Sequence, residues 1–133
     1  MTPKATGTFV VKLTPQECSE ATLGRLAIDK RFEGDLEATS KGEMLAAATE
    51  VKSSAGYVAL ERVSGALHGR SGTFVLQHSG TMDRGTPQLT IAVVPDSGTG
   101  GLTGLQGTMT IEIAGGVHAY TFDYRIAAEA GQP

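Results

Sequence analysis

Gly56 to Met82 reads GYVALERVSGALHGRSGTFVLQHSGTM: two runs of alternating residues that meet at a glycine-containing turn. Along each run, apolar or small side chains at every second position alternate with mostly polar ones. That two-residue period belongs to a strand with one buried face. With Gly69-Arg70 as a two-residue hairpin turn, Glu61 faces His78, Val63 faces Leu76, Gly65 faces Phe74 and Tyr57 faces Met82. One face of the hairpin then carries Tyr57, Ala59, Glu61, Val63, Leu67, Phe74, Leu76, His78 and Met82. The other carries Arg62, Ser64, Thr73, Gln77, Ser79 and Thr81 beside Val58, Leu60 and Val75. The first face is the more apolar and is predicted to point inward. It sets a carboxylate and an imidazole side by side among hydrophobic groups.

Outward from this hairpin, the same period recurs. Thr6 to Leu13 alternates Phe9, Val11 and Leu13 with Val10 and Lys12. Gly24 to Gly34 places Leu26, Ile28, Lys30 and Phe32 on one face and Asp29, Arg31 and Glu33 on the other. Leu36 to Thr49 is ambiguous, because Glu43 to Ala48 consists of good helix formers. A strand is the better reading, since Leu36, Ala38, Ser40, Gly42, Met44 and Ala46 keep a small or apolar residue at every second position. Beyond the hairpin come Gln88 to Val94, Gly107 to Ile113 and Val117 to Ile126, the last with Tyr120, Phe122 and Tyr124 on one face. Short strands in series with tight glycine turns predict an all-β antiparallel meander. About eight strands can close into a barrel, which removes exposed edges. The chain reads as one domain over residues 1–133, with a core from about 6 to 126 and a loose tail over 127–133. Asp96 to Gly104 reads as a long glycine-rich loop over one mouth; it lacks the Gly-Lys-Ser/Thr ending of a phosphate-binding loop.

Composition narrows the function classes. With 133 residues and 40% hydrophobic content, there is material for one core. The net charge of −3 comes without any lysine or arginine run, so nucleic acid is not an expected partner. No apolar run approaches a membrane span, so no membrane partner is expected either. Met1 to Thr6 carries no apolar stretch of signal-peptide length, and the single cysteine, Cys18, has no partner for an intramolecular disulfide. Both point to the cytoplasm. Cys18 lies in a polar loop with no nearby histidine and reads as a bystander. The three histidines, His68, His78 and His118, lack the close spacing of metal ligands, so no metal and no cofactor are expected.

Several stretches resemble a bacterial family catalogued as a domain of unknown function. These are Gly56 to Gly80, Asp29-Lys30, Gly34-Asp35-Leu36, Ser40 to Leu45 and Val94 to Gly100, and the likeness spans about Thr6 to Tyr124. That family is similar in fold to the barrels of plant allene oxide cyclases and dirigent proteins. The resemblance implies an eight-stranded, allene oxide cyclase-like or lipocalin-like barrel, often oligomeric, with an apolar cavity. It implies no particular activity, and no catalytic residue of those cyclases matches a position here.

The candidate catalytic pair is therefore Glu61 and His78. Burial raises a carboxyl pKa and lowers an imidazole pKa, while their mutual attraction favours both charged forms, so either group can be poised for proton transfer. Glu61 can alternatively fix the tautomer of His78 and leave its other nitrogen as the base. The competing explanation is structural: a buried Glu–His pair satisfies itself and needs no function. Tyr57, Phe74, Leu76, Met82, Lys30, Tyr120 and Tyr124 are the candidate ligand-binding residues. For Lys30, snorkelling to a barrel mouth is the favoured reading, for the two tyrosines core packing, and His118 is expected at a rim. Three functions remain open on these residues. The first is a cofactor-independent isomerase or cyclase acting on a small apolar molecule. The second is a carrier for a small lipophilic ligand. The third is an assembly protein with a filled barrel. The outward patch of Val58, Leu60 and Val75 predicts a homo-oligomer under all three.

Overall fold

The computed structural model describes residues 3–127. Eight strands follow one another: β1 (Lys4–Gln16), β2 (Leu23–Gly34), β3 (Leu36–Ala48), β4 (Ala55–Leu67), β5 (Arg70–Asp83), β6 (Thr86–Val93), β7 (Leu105–Ala114) and β8 (Val117–Ile126). Each pairs antiparallel with the next, and β8 pairs back onto β1, closing the barrel. The segment Leu36–Ala48 is strand throughout, so its side-chain alternation prevails over its helix propensity. No helix among the described residues is long and apolar enough to cross a membrane. Residues 128–133 of the expected loose tail lie outside the described residues. Ala127 itself is held, its N–H donating to the Gly104 carbonyl at 2.9 Å.

The hairpin turn lies one residue earlier than Gly69-Arg70. Leu67 pairs with Arg70, and the two turn residues are His68 and Gly69, with φ of 46° and 81°. A type I′ turn needs positive φ at both central positions, which glycine adopts freely and which matches the strands' twist. The register therefore shifts by two: Glu61 faces Leu76, and His78 faces Ala59. A shift of two preserves the faces, so the inward set stands.

The interior has two unlike halves. Towards the ends of β2, β4, β6 and β8, the core is packed tight. Phe74 stacks on Phe122 with ring centroids 5.9 Å apart, and Phe32 meets Tyr120 edge-on at 5.7 Å. This end is sealed by the segment between β6 and β7. Strands β6 and β7 share only two register pairs, Ile91 with Met109 and Ala92 with Thr108. The connecting segment takes up the edge of β5 instead: Val94 N–H donates to Val75 O at 2.9 Å, and Thr99 N–H to Thr73 O at 2.8 Å. Ser97 Oγ accepts from Val75 N–H at 3.0 Å, and Leu102 is fully buried. The expected loop over a mouth is thus a pinned plug.

At the opposite end, exposure rises layer by layer along the inward face. Phe9, Ile28, Ser40, Ala59 and Glu61 are buried; Val11, Leu26, Met44, Tyr57 and Ile111 are half-buried; Leu13, Leu89 and Ile113 are exposed. An inward-facing apolar side chain that stays exposed marks an unfilled end. The barrel is a funnel with an apolar rim and a packed base.

Candidate functional site

The floor of the funnel is polar. Lys30 on β2 reaches Glu61 on β4, two strands away, with Nζ 2.9 Å from Oε2. The strand between them makes this possible. At this level β3 presents only Ser40, the Cα partner of Lys30, and Gly42, the Cα partner of Glu61. A Cβ at Gly42 would lie 2.6 Å from the Glu61 Cα, so no side chain fits there. Lysine's long stem crosses that gap, and its ammonium sits 4.7 Å from the Phe9 ring centroid.

His78 on β5 approaches the same carboxylate oxygen, with Nε2 3.1 Å from Glu61 Oε2. Ser40 Oγ–H donates to the other oxygen, Oε1, at 3.4 Å. Three donors from three strands converge on one carboxylate. Side-chain exposures are 7% for Lys30, 0% for Glu61 and 5% for His78. Burial pushes the Glu61 carboxyl up, but the nearby His78 ring and the Lys30 charge outweigh it and hold the group below the usual carboxylate value. The two nitrogens stand at ion-pair distance without hydrogen-bond alignment, so Glu61 Oε2 and His78 Nε2 are buried polar atoms with unused bonding capacity.

Tyr57 forms the wall above His78, with ring centroids 6.4 Å apart. Its ring lies over Gly80, where a Cβ would come within 2.6 Å of Tyr57 Cε1. Burial, and then the Glu61 charge, push the Tyr57 phenol up.

The structure divides the residues singled out from the sequence. Glu61, His78 and Lys30 come together, with Tyr57 adjacent. Lys30 turns inward to its partner rather than out to a mouth, because an ion pair within reach offsets the loss of water. Leu76 is fully buried directly across from Glu61. Phe74, Tyr120 and Tyr124 lie in the packed half, apart from the floor. The Tyr120 hydroxyl accepts from Leu36 N–H and donates to Glu33 O, both at 2.9 Å, holding the β2–β3 corner. Tyr124 pairs with the His68 ring, whose Nε2 is 3.6 Å from Asp35 Oδ2. Met82 lies at the strand end opposite Ala55, 39% exposed, rather than opposite Tyr57. Ser40, Gly42 and Phe9 join the site unannounced, and His118, expected at a rim, has its ring 5.1 Å from that of Phe9. Their common signal is inward parity on strands that flank Lys30 and Glu61. On the outer surface, Leu45 joins Val58 and Leu60 along an open groove of about 710 Å³, while Val75 is half-buried beside the plug.

Comparison with known proteins reaches the family and the barrel. No curated protein matches the chain. A solved structure from Shewanella oneidensis MR-1, of a protein with unknown function from the DUF3224 family, is similar over 97% of this chain and 100% of its own, with 52% identity and a TM-score of 0.94. The family model for DUF3224, described as a protein of unknown function, matches residues 5–124. Nearly the whole barrel thus falls within one sequence family, and the chain belongs to DUF3224.

Proposed function

We propose that the funnel binds a small, mostly apolar molecule and isomerises or cyclises it by proton transfer at Glu61 and His78, without a cofactor. The observation that carries this reading is a carboxylate buried to 0% exposure at the foot of an apolar funnel, with an imidazole 3.1 Å away and an ammonium 2.9 Å away. A barrel core filled for stability alone is better served by hydrophobic side chains, since a buried ion pair adds little net stability. In this reading Lys30 keeps Glu61 ionised, and the carboxylate 3.1 Å from His78 Nε2 favours the ring proton on that nitrogen. His78 Nδ1 takes a proton from one carbon of the substrate and returns it at another, so no atom or electron is gained or lost. The resemblance of the sequence family to allene oxide cyclase barrels points the same way by fold analogy. Native mass spectrometry of the protein isolated gently from its bacterial host tests the reading, by comparison with the denatured mass. A retained compound that the wild type converts, and that Glu61→Gln and His78→Ala leave unchanged, supports it. A retained compound returned unaltered by all three makes the protein a carrier.

The outer groove favours a homo-oligomer as the working form. Val58 and Leu60 are 54% and 53% exposed beside Leu45, and the flanking charges Arg25 and Glu43 are paired with each other, which leaves an apolar strip suited to a self-complementary two-fold contact. Sedimentation of the wild type and of Val58→Lys checks this. A wild-type monomer at micromolar concentration overturns it.

A further inference from the structure

The floor is closed in this conformation. Lys30, Glu61 and His78 are all buried, and Tyr57 leans over His78 from above. A substrate carbon has to touch the His78 ring to exchange a proton with it, so the wall around His78 must open.

His78 borders the thinnest part of that wall. It is the register partner of Ile91 on β6, and Ile91 is the register partner of Met109 on β7. Ile91 and Met109 are buried, and with Ala92 and Thr108 they make the two register pairs of the β6–β7 seam. Above them both strands run on to the rim without pairing, Thr86 to Thr90 on one side of a notch and Thr110 to Ala114 on the other. Alternate residues of a strand turn their backbone groups to opposite neighbours. Val94 N–H bonds to Val75 O on the β5 side, and Ala127 N–H bonds to Gly104 O on the β8 side of β7. By that alternation Leu89, Ile111 and Ile113 turn their N–H and C=O groups into the notch. Pro87 turns only a carbonyl there and blunts the β6 edge against another strand.

The side chains of these residues point inward and are apolar. Leu89 and Ile113 are exposed and Ile111 is half-buried, while the outward-facing Gln88, Thr90, Thr110 and Glu112 are polar. An apolar track thus leads down the notch to the Ile91–Met109 pair, one strand away from His78. Opening at this place disturbs little else. It parts two register pairs, whereas every other seam of the barrel has six or more. Local openings follow the least-supported backbone pairing.

We infer that the β6–β7 seam is the gate of the site. Ile91–Met109 and Ala92–Thr108 part, and a small apolar molecule moves along Leu89 and Ile111 to reach the His78 ring from the side. This rests on the floor being the reactive site, as proposed above.

Diethyl pyrocarbonate tests the gate, because this small uncharged reagent acylates an imidazole nitrogen only on contact. Ala92 and Thr108 are outward-facing register partners of the non-hydrogen-bonded kind, whose Cα atoms stand about 4.5 Å apart, within disulfide range. Ala92→Cys/Thr108→Cys, made together with Cys18→Ser, locks the seam when oxidised. Thr8→Cys/Ala119→Cys, an outward-facing pair across β1 and β8 in the same background, cross-links the barrel elsewhere and is the control. Acylation of each histidine is followed by peptide mass. His78 is expected to react in the folded wild type and in the reduced seam variant, and at least about tenfold more slowly once the seam is oxidised, well within what a cross-link of ordinary strength imposes on an opening. The β1–β8 cross-link is expected to leave that rate unchanged, and the partly exposed His68 to react alike in every sample. Should the first pair not close, Thr90→Cys/Thr110→Cys, one step up the seam, makes the same lock. Equal His78 rates with the seam oxidised and reduced overturn the gate and leave the floor as a site reached from above, past Tyr57. Equal slowing by both cross-links also overturns it, since His78 is then reached only when the barrel as a whole opens. A His78 that does not react in the folded protein while His68 does overturns the floor as a reactive site, and this inference with it.

Discussion

Glu61 is the residue on which the floor depends, because three side chains from other strands are arranged around its charge. Glu61→Gln keeps the shape and removes the charge, which strands the Lys30 ammonium in a buried site. The expected loss is about 3–5 kcal/mol in denaturant unfolding, the range for breaking a buried ion pair from one side. Removing both ends gives the opposite result. Lys30→Met/Glu61→Leu replaces the pair by apolar groups of similar length and is expected to recover most of that loss, since a well-packed hydrophobic replacement of a buried pair is often neutral or stabilising. A double variant as unstable as Glu61→Gln would mean that the floor is held by shape rather than charge. Recovery by the double variant would show that the pair has a use other than stability, as a site requires.

Between β6 and β7 the barrel has its thinnest seam, two register pairs against eight between β5 and β6. The plug compensates by bonding along Thr73 and Val75 of β5 and by burying Leu102 against Gly72. Leu102→Ala is expected to destabilise the protein by about 2–5 kcal/mol, the usual range for truncating a buried leucine. Amide exchange should quicken first at Val75, Thr99 and Ile91, next to the seam; uniform quickening around the barrel would show instead that the plug has no local role. Much of this element-level architecture was legible in the sequence. Alternation along Gly56 to Met82 fixed which side chains point inward, and it survives any register error of two. The position of the turn is not legible, because Gly69-Arg70 and His68-Gly69 each offer one glycine. The register shows the second, with positive φ at both central positions. Depth along the barrel was not legible either. Alternation puts Lys30 on the inward face, but whether its ammonium goes up to water or across to Glu61 depends on small residues in the intervening strand. Ser40 and Gly42 stand in line with that gap only once the β2–β3–β4 register is known. Tyr120 and Phe74 shared the inward face with His78, and nothing in the alternation distinguished the plugged end from the open one.

At the scale of the whole molecule, closure makes Glu61 a point where pH acts on the entire fold. Several carboxyls are held below their ordinary values, but Glu20, Asp35 and Glu43 are at the surface, where water and salt screen their partners. Glu61 is the buried one, and its carboxyl must be re-protonated against both Lys30 and His78. Its value in the folded barrel lies below the ordinary 4.5 that it regains on unfolding. The unfolded chain therefore binds more protons between those two values, and stability falls with falling pH there. The contribution is complete at pH values above 4.5 and is lost progressively as pH drops through the folded value. Within that window the expected slope from one such group is about 1.4 kcal/mol per pH unit. Denaturant unfolding of the wild type and of Glu61→Gln at a series of pH values from neutral downward isolates it. The difference in stability between the two should be constant near neutrality and shrink below pH 4.5, because the glutamine variant has no proton to bind at that position. A difference that stays constant into strong acid would mean that Glu61 titrates no differently in the barrel than in the open chain. The Lys30 contact would then contribute nothing to the carboxylate's charge state, and the floor would not be the electrostatically prepared site on which its proposed chemistry depends.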